Sequence, residues 1–120
     1  MALKIFVFLN NAILVCSVPG PPSDVNVYAF AEYILVTWKP PKEPNGIIRG
    51  YQVGSAEYTG SQWKDIAVDL TALGADKRRY LLSDQKELSL YVVEIQAKTD
   101  PGWGDSVRKT TRTVKMSGKF

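Results

Sequence analysis

From Pro19 onward the apolar positions of the chain recur at every second residue. Val25, Val27 and Ala29 alternate with Asn26 and Tyr28, and Ile34, Val36 and Trp38 alternate with Leu35, Thr37 and Lys39. Shorter runs follow at Tyr51 and Val53, at Ile66 and Val68 behind Trp63, and at Tyr80 and Leu82. The last clear run sets Tyr91, Val93, Ile95 and Ala97 against Val92, Glu94, Gln96 and Lys98. A period of two places each apolar set on one face of a strand. The turn-forming clusters PPKEPNG, YTGSQ, LGADKR, SDQKE and DPGWGDS separate the runs. About seven short strands with no helical stretch predict an all-β, two-layered fold. No internal repeat appears, and 120 residues suit one domain.

The stretch TWKPPKEPNGIIRGYQV, residues 37–53, sets the architecture. Two prolines directly after the Trp38 strand end its hydrogen-bond ladder. Asn45-Gly46 tolerates positive φ and turns the chain toward Ile48. Strands on the two sides of this connection can then belong to different layers, with Trp38 and Tyr51 meeting across a core about 10 Å thick. Trp38, Tyr51, Tyr91, Val36, Val93 and Ile95 are the expected core.

Composition narrows the function. The apolar fraction of 45% and charged fraction of 22% are those of an ordinary globular chain. A net charge of +3 spread among mixed signs argues against a nucleic-acid partner. Histidine is absent and Cys16 is the single cysteine. A His-based general base, a catalytic triad, an internal disulfide and the usual Cys/His zinc site are thereby excluded.

Residues 1–17 carry Lys4, an apolar stretch from Ile5 to Cys16 interrupted by Asn10 and Asn11, and small residues before Pro19. This layout predicts a secretory signal cleaved after Ser17. The alternative is the border of a longer product. The expected division is therefore a signal at 1–17, one domain at 18–116 and a short tail at 117–120. None of Asn10, Asn11, Asn26 and Asn45 stands in an Asn-x-Ser/Thr acceptor. No later stretch is apolar for long enough to span a membrane.

Taken together, the lead-in PGPPSDV, the tryptophan and prolines of ILVTWKPP, the tyrosine of NGIIRGYQV, the run YVVEIQA and the turn GWGDS resemble a fibronectin type III domain from about Pro21 to Val114. That resemblance implies a seven-stranded antiparallel immunoglobulin-like β-sandwich. It departs from the family where Gln85 and Glu87 replace the usual leucine and proline before Tyr91. Tyr91 is still expected to bond the backbone of the preceding loop. The string WKPPKEPNGIIRGYQV is similar to tandem modules of contactin- and neuroglian-type neural adhesion molecules.

The carboxylates are scattered over expected loops and outward strand positions, so solvated surface charge is the expected reading, Asp65 and Asp69 included. No calcium loop or phosphate loop is present. Lys77-Arg78-Arg79 and the last strand's Arg108, Lys109, Arg112 and Lys115 form an incomplete patch for heparan sulfate. A solvated strand protecting a sheet edge is the preferred reading of the latter. Trp103 is the leading contact candidate, with an indole folded onto the sheet beside Lys98 or Arg108 as the structural alternative. With Trp103 stand Asp105, Lys42, Glu43 and Asn45 as the expected protein-binding residues. No enzyme, cofactor or metal is expected. The resemblance implies an extracellular or cell-surface interaction and spacer module of an adhesion or receptor protein. A stand-alone secreted binding protein or decoy is the alternative.

Overall fold

The computed structural model describes residues 4–9, 12–58, 60 and 66–116, with the backbone alone for residues 4–16. Trp63, Asp65, Asn10, Asn11 and the 117–120 tail lie outside the described residues. Every regular element among the described residues is a strand. β1 (Lys4–Leu9) and β2 (Ala12–Ser17) pair antiparallel as a separate hairpin.

The remaining strands make two sheets. The first has the order β3 (Ser23–Ala29), β4 (Ile34–Lys39), β7 (Arg79–Leu82). In the second, β10 (Val107–Arg112), β8 (Leu90–Thr99), β5 (Gly50–Glu57) and β6 (Thr71–Gly74) lie in that order. A two-residue β9 (Gly102–Trp103) folds back on the end of β8. All pairings are antiparallel. The chain is an all-β immunoglobulin-like sandwich of seven main strands, as its alternating pattern indicates.

Alternation decides what is buried. Val36, Trp38, Tyr51, Tyr91, Val93 and Ile95 all lie in the core, joined by Val25, Ile34, Val53, Leu82 and Ala97. β4 and β5 sit in different sheets, and the Trp38 and Tyr51 rings meet with centroids 5.6 Å apart at 52°. The connection turns where expected, with Asn45 at φ 56° and Gly46 at φ 153°. Neither Trp38 Nε1 nor Tyr51 Oη has a hydrogen-bond partner among the described residues. The two rings are therefore held by apolar area, each contributing on the order of 2–3 kcal/mol.

Three expectations are corrected. Ile66 and Val68 are not a strand: residues 66–70 cross irregularly over the outer face of the second sheet, and the strand follows at Thr71–Gly74, where the LGADKR turn was expected to begin. That crossing is possible because residue 54 is glycine, since a Cβ there would overlap the Asp69 carbonyl oxygen. Secondly, Glu94 is not solvated. Its side chain is 12% exposed, and the Arg108 guanidinium lies 2.7 Å from its carboxylate. Arg108 also donates to the Ile66 carbonyl at 2.8 Å, so the crossing segment covers the pair. Arg108 is accordingly no solvated edge charge. Thirdly, Val92, set on the polar side of the β8 alternation, is fully buried, while Leu88 is exposed with φ 55° and Leu82 lies in the same core as Tyr91. Tyr91 Oη accepts from the Lys86 backbone N–H at 2.7 Å, so the tyrosine corner forms without the leucine-proline pair.

Candidate functional site

One pole of the sandwich is built by the β4–β5 connection, the lead-in to β3 and the loop after β9. Backbone hydrogen bonds lock the first two together. Gly20 N–H donates to the Glu43 carbonyl at 2.8 Å and Ser17 N–H to the Asn45 carbonyl at 2.9 Å. The Asn45 side chain adds a bond to the Val18 carbonyl at 3.1 Å. Proline is frequent in both segments because neither belongs to a central ladder. The third segment closes against the first, for a Cβ on Gly104 would overlap the Pro19 carbonyl oxygen. Buried Thr99 donates its hydroxyl to the Ser17 carbonyl at 2.7 Å, tying the end of β8 to the same frame.

These contacts leave a cleft of about 400 Å³ lined by Val18, Pro19, Gly20, Pro21, Glu43, Asn45 and Asp105. Three of the five expected contact residues, Glu43, Asn45 and Asp105, thus share one site. Its lining mixes Val18 and the two prolines with Asn45 and the carboxylates of Glu43 and Asp105. Lys42 faces the adjoining depression with Pro21, Pro22 and Asp24. Trp103 does not line the cleft. Its indole is half-buried on β9, with Lys98 Nζ 5.3 Å from the ring centroid, so the fold-back geometry holds. The lead-in's part in the cleft was missed, although its prolines already marked a stiff, extended segment.

Elsewhere the charges are mostly engaged. Asp100 takes a bidentate grip from Arg49 at 2.9 and 3.3 Å, and this hydrogen bonding holds its carboxyl below the usual range. Burial pushes the Tyr51 phenol above its ordinary value, against a smaller opposing pull from Arg78. Of the Lys77-Arg78-Arg79 run, Arg78 turns back to the Ala75 carbonyl and sits 5.7 Å from the Tyr51 ring. With Arg108 committed to Glu94, the basic residues form no continuous strip, and the heparan sulfate expectation gains no support. Among the described residues no three acidic or cysteine side chains gather as metal ligands would. No described helix is long and apolar enough to cross a membrane.

Comparison with known proteins agrees with this architecture. The family model for the fibronectin type III domain matches residues 20–113. Protein sidekick-1 of Mus musculus is 34% identical over 101 residues, which cover 81% of this chain and 4% of that protein. The cell adhesion molecule DSCAM of Gallus gallus is 38% identical over 79% of this chain and 5% of its own length. The human cell adhesion molecule DSCAML1 is 39% identical over the same shares. The chain thus spans about one-twentieth of these relatives. Among solved structures, the FN5 domain of Drosophila Lar superposes with a TM-score of 0.62 at 26% identity, covering 81% of this chain and 98% of that one. The third fibronectin III domain of human KIAA0343 protein gives 0.67 at 20% identity, over 84% and 87% of the two chains. By its sequence match, its strand order and its core, the chain belongs to the fibronectin type III domain family.

Proposed function

We propose that the chain is an extracellular protein–protein interaction and spacing module of a cell-adhesion or receptor protein, and that it meets its partner at the pole cleft. The observation carrying this reading is the convergence of Glu43, Asn45 and Asp105 from two loops onto one backbone-locked frame. Loops carry recognition when a rigid scaffold fixes them, and here the frame is bonded from three sides. Cell adhesion molecules among the relatives support the same class. The two carboxylates beside Val18 and the prolines suit a partner surface that presents lysine or arginine. Trp103 and Lys42 flank the contact in this reading.

The test is binding of the purified, labelled chain to the surface of adherent cells. Glu43→Lys combined with Asp105→Lys should reduce that binding at least about tenfold through like-charge repulsion. The melting temperature should stay within about 2 °C, since both residues are exposed. Unchanged binding by this stable variant would remove the cleft from the function.

A further inference from the structure

The two sheets treat their outer faces differently. The outer face of the β10-β8-β5-β6 sheet is partly covered by residues 66–70. The outer face of the β3-β4-β7 sheet bears an apolar patch. Its register sets Tyr28, Leu35 and Leu81 in one row across all three strands. Tyr28 and Leu81 are each 49% exposed. Beside that row Phe30 and Tyr33 stack with centroids 4.7 Å apart, each 41% exposed. Five contiguous apolar side chains on one flat face exceed what scattered surface residues explain.

The charge around this patch is polar in the geometric sense. At one end stand Arg79, level with Thr37 and Asn26, and the neighbouring Lys77. At the other stand Glu32, beside Phe30, Tyr33 and Lys115, and Asp84, in the loop whose Gln85 N–H donates to the Glu32 carbonyl. Arg79, Lys77, Glu32 and Asp84 are all exposed, and none has an ion-pair partner among the described residues. A face that is apolar in the middle, with a net positive charge at one end and a net negative charge at the other, complements itself when turned end for end.

We infer that this face is a self-association surface, occupied by a second copy of the chain across a two-fold axis perpendicular to the strands. That axis lays Tyr28, Leu35 and Leu81 of one copy on the same row of the other. It brings Arg79 and Lys77 over the partner copy's Glu32 and Asp84. Three strands about 4.8 Å apart, of four to seven residues, give a face of roughly 14 by 20 Å, about 560 Å² in projection for two copies. This lies below the size of a standard specific interface, so the dimer is weak and transient, with a dissociation constant between about 10 μM and 1 mM. The inference is independent of the pole cleft and of its partner.

Sedimentation equilibrium of the full chain up to about 1 mM tests it, with reductant present so that Cys16 cannot crosslink copies. The chain should pass from monomer to dimer within that range. Leu81→Lys should weaken the dimer at least about tenfold, with an unchanged circular dichroism spectrum because Leu81 is already half exposed. Glu32→Arg and Arg79→Glu should each weaken it about fivefold, and the double variant should recover to within about twofold of the parent. A monomer at the highest concentration overturns the inference. So does a dimer indifferent to Leu81→Lys, or a double charge reversal no better than the single ones.

Discussion

Single residues divide here into those that hold and those that tune. Trp38 holds: it is 3% exposed and packs on Tyr51 from the other sheet. Trp38→Ala should lower the unfolding free energy by about 3–5 kcal/mol, measured by urea denaturation. Tyr51 combines a buried ring with a hydroxyl that bonds nothing. Tyr51→Phe removes that unpaired group and should be neutral or stabilising by up to about 1 kcal/mol. It should also change the response to alkali. The folded phenol titrates above its unfolded value. The stability this confers is complete below about pH 10, where the unfolded phenol begins to ionise, and is lost as pH rises through the folded value. The parent should therefore weaken above about pH 10 more than Tyr51→Phe does. Asp100 gives the opposite sign. Its folded carboxyl is depressed, so its contribution is present at neutral pH and fades as pH falls through the folded value. Its exposure keeps that effect small.

At the scale of elements, alternation announces a strand wherever one face is dry and the other wet. β3 and β4 were legible for that reason, β5 and β8 by the apolar residues of their inner face, and so was the glycine-bearing turn between β4 and β5. The β5–β7 stretch was not. Ile66 and Val68 alternate like a strand, yet residues 66–70 lie over Gly54 because a glycine in β5 lets a backbone approach where any side chain would stand. Glu94 and Arg108 looked like solvated charges for the same reason, since sequence does not show which outward faces become roofed. The cleft was half legible: the turn chemistry marked Glu43, Asn45 and Asp105, but their convergence with Val18–Pro21 depends on backbone bonds that no local pattern encodes. The lead-in makes a testable claim about the amino terminus. A chain starting at Ser17 keeps the acceptor for buried Thr99, and one starting at Val18 loses it. The shorter chain should be less stable by about 1–3 kcal/mol, read as a melting-temperature drop of several degrees in paired scans.

For the whole molecule, the features divide by location. The pole holds a rigid cleft with a carboxylate rim, the flank of one sheet holds an apolar face with charge of opposite sign at its ends, and the other sheet is roofed. Gathering Glu43, Asn45 and Asp105 at an extremity leaves the flank open, so a partner at the cleft and a second copy on the face do not compete for surface. Ser17 also joins the β4–β5 connection and β8 at one point, through the Asn45 carbonyl and the Thr99 hydroxyl. Mechanical tension applied to the amino-terminal end would load these two bonds before it reached either sheet. The loops that line the cleft would thus feel a tug while the core stayed at rest.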